Sequence, residues 1–114
     1  PYYYSLAHRA RRRAEPLVAP LVYWHQADSA ARTIMDEKLV GRDLLVATST
    51  RVGEASRDVY LPAGEWVDWH TLQRHAGGRR LRDVSFRPAG AFRLPLFARA
   101  GAIVPMMAVD SLTM

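Results

Sequence analysis

The stretch VYLPAGEWVDWHT, residues 59–71, decides how this chain folds. Two short apolar runs flank a Pro-Ala-Gly sequence, and the second spends Trp66, Trp69 and an acidic residue on four positions. Pro62 presets a turn backbone, and Gly64 supplies the positive φ that a tight turn needs. Val59 and Leu61 alternate with Tyr60, while Val67 and Trp69 alternate with Trp66 and Asp68, which is the period of strands. The stretch reads as a β-hairpin with one apolar face and one mixed face that carries Trp66. Core packing is its expected role, with the mixed face free to dock on another body.

Runs of the same kind surround it: DLLVATST (43–50), RDVYLP (57–62), EWVDWH (65–70), RRLRDVSF (79–86) and PLFARAGAIVPM (95–106). Gly, Pro and charged turns separate them, the pattern of an antiparallel β-sandwich. Before Gly41 the pattern differs. Tyr3, Leu6, Ala7, Ala10 and Ala14 recur at three- and four-residue steps, so residues 1–14 read as a helix whose terminal arginines complement its negative end. Glu15-Pro16 stops that helix. LVAPLVYW (17–24) is apolar at both parities, as in a strand buried on both faces, with Pro20 marking an irregularity. DSAARTIMDEKLVG (28–41) predicts a helix over 28–40, with Asp28 or Ser29 as N-cap and Gly41 as its stop. Helix, strand and helix in succession are the grammar of an α/β barrel or a doubly wound sheet. The expected division is therefore residues 1–41 as the end of one architecture and residues 42–114 as a β-sandwich, mainly β overall.

At 114 residues the chain is long enough to bury a modest core. The absence of cysteine excludes structural disulfides, zinc ribbons and thiol nucleophiles, and fits a bacterial cytoplasmic location. The net charge of +5 comes almost wholly from arginine, since Lys38 is the only lysine among sixteen basic residues, a skew also expected of a GC-rich genome. The basic groups Arg9 with Arg11–Arg13, and Arg79, Arg80 and Arg82, have no interleaved aromatics, so no nucleic-acid partner is expected. No run of eighteen apolar residues occurs, and no membrane association is expected. His8, His70 and His75 share no ligand-like spacing, so neither a metal nor a cofactor is expected. The sequence begins without methionine inside a helical element, as expected of a piece of a longer polypeptide. Such a piece is expected to lose the order of residues 1–40, to self-associate through them, or to have been carved from an assembled parent.

PYYYSLAHRA (1–10), EPLVAPLVYW (15–24), DEKLVGRDLLVA (36–47), RDVYLPAGEWVDW (57–69) and LPLFARAGAIVPM (94–106) resemble, in this order and with like spacing, one region of glycoside hydrolase family 31. That family holds α-glucosidases, α-xylosidases and related retaining enzymes, and the region is the end of its (β/α)8 barrel with the sandwich that follows. The resemblance implies a late barrel helix at 1–14, the last barrel strand at 16–24, the last barrel helix at 28–40 and the proximal C-terminal β-domain at 42–110. The chain departs from the family's usual arginine at Ala19, its Glu-Phe-Pro run at Trp24, His25 and Gln26, its aromatic at Lys38 and its proline at Thr48.

Retaining hydrolysis needs two carboxyl groups about 5 Å apart. In this family both are aspartates after earlier barrel strands, and neither of their motifs occurs here, so no catalytic residue is assigned. Asp28, Asp36, Glu37, Asp58, Asp68 and Asp83 read as structural. Barrel active sites lie at the C-terminal ends of the strands, which makes Trp24 and His25 the candidate substrate-binding residues. The resemblance implies the C-terminal portion of a retaining α-glycosidase acting on terminal α-linked glucosyl or xylosyl units, inert by itself. The alternative is a free-standing carbohydrate-binding sandwich with Trp66, Trp69 and Tyr60 as its platform.

Overall fold

The computed structural model describes residues 1–109; the last five residues of the expected β-domain lie outside the described residues. The chain runs through helix α1 (Tyr2–Arg13), strand β1 (Val18–Pro20), a single helical turn α2 (Leu21–Trp24), and strands β2 (Glu37–Val40) and β3 (Leu44–Ala47). Strands β4 (Ser56–Leu61), β5 (Glu65–Asp68), β6 (Arg74–Ala76), β7 (Arg79–Ser85) and β8 (Leu96–Arg99) follow. Six strands form one sheet in the order β1-β2-β3-β8-β5-β6, and β4 pairs with β7 in a second. Every described strand pair is antiparallel.

Between the sheets lies the main core. Leu39, Leu45, Ala47, Trp66 and Phe97 from the larger sheet meet Val59 and Leu61 from the smaller one, and Leu21, Ala31 and Ile34 close one end. A smaller cluster seats α1 on the other face of the larger sheet, where Tyr2 and Leu6 cover Val40 beside Leu17 and Leu44. The Tyr2 hydroxyl donates to the Val40 carbonyl at 2.9 Å. Helix α1 thus buries Tyr2 rather than Tyr3, which stays 62% exposed. Ala14 ends it in the left-handed region at φ 53°.

The fold corrects five expectations. Residues 28–40 are not a helix: a turn over 29–33 leads into β2, where Leu39 is wholly buried and pairs with Leu45. A strand flanked by β1 and β3 outweighs the helical propensity of its residues, because its burial is tertiary. The run 17–24 is a strand only to Pro20, which can pair at the sheet edge but ends the ladder for want of an N–H. Strands β1 and β2 are antiparallel members of the same sheet as β3, not barrel strands, which run parallel to their neighbours. Backbone pairing is continuous through Gly41, which turns β2 into β3 instead of stopping a helix.

Most consequential is residues 59–71, which do not form a hairpin. β4 belongs to the smaller sheet and β5 to the larger, so Pro62–Gly64 carries the chain from one layer to the other. Trp66 therefore points into the core, fully buried, and its Nε1–H donates to the Pro62 carbonyl at 2.8 Å. Gly77 packs so closely on this arch that a Cβ there would overlap the Pro62 carbonyl.

Gly41 combines two demands. Its φ is +64°, and a Cβ would stand 2.5 Å from the Tyr2 hydroxyl and 2.8 Å from Leu6 Cδ2. Gly53 has φ +77° but open space around it. Gly53→Ala should cost about 1 kcal/mol of backbone strain and Gly41→Ala at least about 2 kcal/mol, because α1 must also shift. Urea unfolding of both variants checks this, and equal losses would show that α1 is not seated on the turn.

Candidate functional site

Residues 24–28 leave helical turn α2 and line a cleft of about 530 Å³ with Tyr60 and Ala63. Local rules shape this loop. The turn ends at His25, whose N–H returns to the Leu21 carbonyl, and the Asp28 N–H then donates to the His25 carbonyl at 3.1 Å. Asp28 Oδ1 accepts the Ala30 and Ala31 N–H groups at 3.0 and 3.4 Å, an Asx turn that caps the bend 29–33. Arg32 clamps the loop from outside, donating from Nε and Nη2 to the Gln26 carbonyl at 3.1 and 2.9 Å.

Tyr60 forms the opposite wall. Its hydroxyl donates to Asp28 Oδ2 at 2.7 Å, and its own N–H donates to Glu37 Oε1 at 2.8 Å. Burial, then the bond to Asp28, pushes the Tyr60 phenol up to about 12, so it stays a donor. For Asp28, burial pulls upward, but the Tyr60 hydroxyl and the two backbone N–H groups together hold the carboxyl below its usual range. Burial lowers His25, with Arg99 adding to the effect and Asp28 opposing it. At neutral pH the cleft therefore presents a neutral imidazole beside a fixed carboxylate.

The two sequence-predicted substrate-binding residues, Trp24 and His25, both reach this cleft. Trp24 is half packed into the core. The Arg42 guanidinium lies 4.0 Å from its ring centroid, Tyr23 meets it edge to face at 4.7 Å, and its buried Nε1 has no partner among the described residues. The remaining histidines lie elsewhere: His70 Nε2 is 3.0 Å from the Leu94 carbonyl, His75 stands edge-on to Phe97, and His8 is exposed on α1. Sequence reasoning missed Asp28 and Tyr60 as cleft residues. The capping signal at Asp28 was visible, but its contact with Tyr60 spans 32 positions and leaves no local trace.

The proposed aromatic platform does not exist as a surface. Trp66 is wholly buried, Tyr60 nearly so with its hydroxyl spent on Asp28, and Trp69 lies instead among Tyr2, Tyr3, Leu44 and Met106 in a separate apolar groove. Among the described residues no carboxylate pair faces the cleft either. Asp36 and Glu37 converge on Arg57 Nη2, at 2.9 and 3.5 Å, and neither lines the cleft.

Glu37 is the one buried charged residue of the described core, and its Oε2 has no hydrogen-bond partner among the described residues. Burial, with Asp36 adding to it, pushes its carboxyl up to about 7 from 4.5, against the Tyr60 N–H, Arg57 and Arg80. A carboxyl raised on folding binds more protons in the native state, so its contribution falls as pH rises from 4.5 to about 7. Asp28, Asp58 and Glu54, all held low, titrate below this window. The Glu37 contribution should decline across it by on the order of 3 kcal/mol; His25, held low by burial, titrates in the same window with the opposite sign, so Glu37→Gln should remove the declining part of the profile. Urea midpoints at a series of pH values test this, and an unchanged slope in the variant would assign the titration to another group.

Comparison with known proteins shows the family. The family described as the glycosyl hydrolase family 31 C-terminal domain matches residues 14–104, a span that takes in β1, the cleft loop and β2 as well as the later strands. The chain is 33% identical over 110 residues to a 1,6-alpha-glucosyltransferase of Sporosarcina globispora, covering 96% of this chain and 8% of that protein. The GH31 dextranase of Flavobacterium johnsoniae superposes with a TM-score of 0.85 at 30% identity, over 96% of this chain and 13% of that one. The GH31 alpha-xylosidase of Xanthomonas citri gives a TM-score of 0.78 at 38% identity, over 89% of this chain and 11% of that one. The chain thus spans about a tenth of the length of the relatives it matches.

Proposed function

Because the chain belongs to glycosyl hydrolase family 31, whose C-terminal domain it matches over residues 14–104, we propose that it is the C-terminal portion of a retaining α-glycosidase. The whole protein hydrolyses terminal α-linked glucosyl or xylosyl units, and this portion is inert alone. In that reading α1 lies where the chain leaves the catalytic barrel, and β1 to β8 complete the β-domain beside it. Trp24 and His25 reach the sugar.

The observation that carries the reading is the content of the cleft. It offers hydrogen-bonding groups at His25, Gln26 and Asp28 next to an aromatic edge, which suits a hydroxyl-rich pyranose, yet among the described residues holds a single carboxylate. Retaining hydrolysis needs two, so the cleft fits a wall of a sugar site whose reacting groups come from elsewhere. Apolar exposure supports the same reading. Tyr3 and Tyr4 are exposed on α1, and the groove around Trp69, with Leu44, Val104 and Met106, lies open nearby. A surface of this kind is the expected contact with a larger body.

The isolated chain should not turn over an aryl α-glucoside above buffer background. Methyl α-glucoside, titrated into the millimolar range while side-chain NMR signals are followed, should shift Trp24 and His25 and leave the buried Trp66 indole unmoved. Measurable turnover would overturn the inert reading. A response at Trp66 without one at Trp24 or His25 would overturn the assignment of the sugar wall.

A further inference from the structure

The cleft depends on one residue that belongs to neither its loop nor the larger sheet. Tyr60 lies on β4 in the two-stranded sheet and makes two bonds in different directions. Its backbone N–H is tied to Glu37 of β2, and its hydroxyl to Asp28 of the loop. Asp28 in turn holds the Ala30 and Ala31 N–H groups with its other oxygen, while its N–H closes the turn on the His25 carbonyl. A chain of hydrogen bonds thus runs from the sheet core through the phenol and the carboxylate to the backbone of His25.

We propose that Tyr60 and Asp28 are a positioning pair, which fixes the 25–28 loop against the smaller sheet and so sets how the His25 imidazole addresses a sugar in the cleft. The proposal rests on the reading that Trp24 and His25 face the substrate. Without the phenol, the loop keeps its internal Asx turn but loses its one side-chain tether to β4. The arrangement assigns separate tasks to the two groups. Tyr60 supplies position, as a neutral donor set on a strand whose neighbours Val59 and Leu61 are wholly buried. Asp28 supplies both an acceptor and the charge that favours the imidazolium, with Arg99 the charge that opposes it.

That separation makes the pair testable by the His25 titration midpoint, followed through its ring protons by NMR on the full chain. Tyr60→Phe keeps the ring, the backbone bond to Glu37 and the Asp28 charge. It should release the loop, expose His25 and move the midpoint up toward the ordinary value of 6.5. Asp28→Asn keeps a hydrogen-bonding group against the Tyr60 hydroxyl but removes the charge that favours the imidazolium, so the midpoint should move down. Simple loosening of the fold would move both variants upward. Opposite shifts support the pair; shifts in one direction, or no shift in Tyr60→Phe, overturn it.

A methyl α-glucoside titration of the same samples separates the two claims. Opposite shifts with no glucoside response at Trp24 or His25 remove the sugar reading alone. A glucoside response that is unchanged in Tyr60→Phe, with a fixed His25 midpoint, removes the positioning pair alone. Should Tyr60→Phe fail to fold, Asp28→Glu provides the second variant. It keeps the charge but lengthens the tether, and an unmoved His25 midpoint there would overturn the proposal.

Discussion

The hydrogen bond from the Trp66 indole to the Pro62 carbonyl marks the constraint on which the structure depends: the chain must change sheets between β4 and β5. A hairpin at this point would have laid Tyr60 and Trp66 on one surface. Crossing the layers instead turns Trp66 inward, where its full burial contributes on the order of 2–3 kcal/mol, and leaves its one polar atom satisfied by the turn itself. The crossing also fixes the place of β4. Val59, Tyr60 and Leu61 all join the main core cluster, and Tyr60 closes it on the side of the loop that follows α2, where it forms a wall of the cleft.

That wall would be a liability without Asp28 and Glu37. Tyr60 is nearly buried, and both its hydroxyl and its N–H need partners. The loop supplies one carboxylate and the neighbouring sheet the other. The cost falls on Glu37, whose second oxygen has no partner among the described residues and whose carboxyl is pushed toward neutrality. Arg57 limits that cost by reaching Asp36, Glu37 and the Thr48 carbonyl together. Removing one member of such a cluster is more destabilising than the cluster is stabilising, because the remaining charge stays buried.

How much of this was legible in the sequence follows from the range of each interaction. Strands β3, β4, β5, β7 and β8 showed in short apolar runs between Gly and Pro, since their burial pattern is local. Helix α1 showed for the same reason. Strand β2 did not, because Glu37, Lys38 and Leu39 match a helix as well as a strand, and only pairing with β1 and β3 decides between them. The Pro62–Gly64 turn was visible as a turn, but nothing local says whether its flanking strands pair with each other or with partners elsewhere. Asp28 was legible as a cap and does cap, though of a bend and not a helix. Trp24 and His25 were reached through resemblance to a family, and their company in the cleft depends on Tyr60, 35 positions beyond His25 and visible only once the sheets are assembled.

The electrostatics of the cleft narrow what its two named residues can do. A guanidinium already lies over Trp24, and a tyrosine packs edge to face against it, so the indole is held rigidly but is not free to stack on a pyranose from both sides. Arg42 is itself anchored by Glu15 at 3.4 Å, which ties the ring to the segment just after α1. In the sugar-wall reading proposed above, polar recognition then falls to the loop. A neutral imidazole can donate or accept, whereas an imidazolium only donates, and burial keeps His25 in the form with both options. Asp28, acceptor only, complements it. A wall built from one versatile group and one fixed acceptor favours a ligand rich in hydroxyl donors and disfavours an anionic one. The fold contributes by holding both groups on a loop tethered at each end, so that little ordering entropy remains to be lost when a ligand arrives.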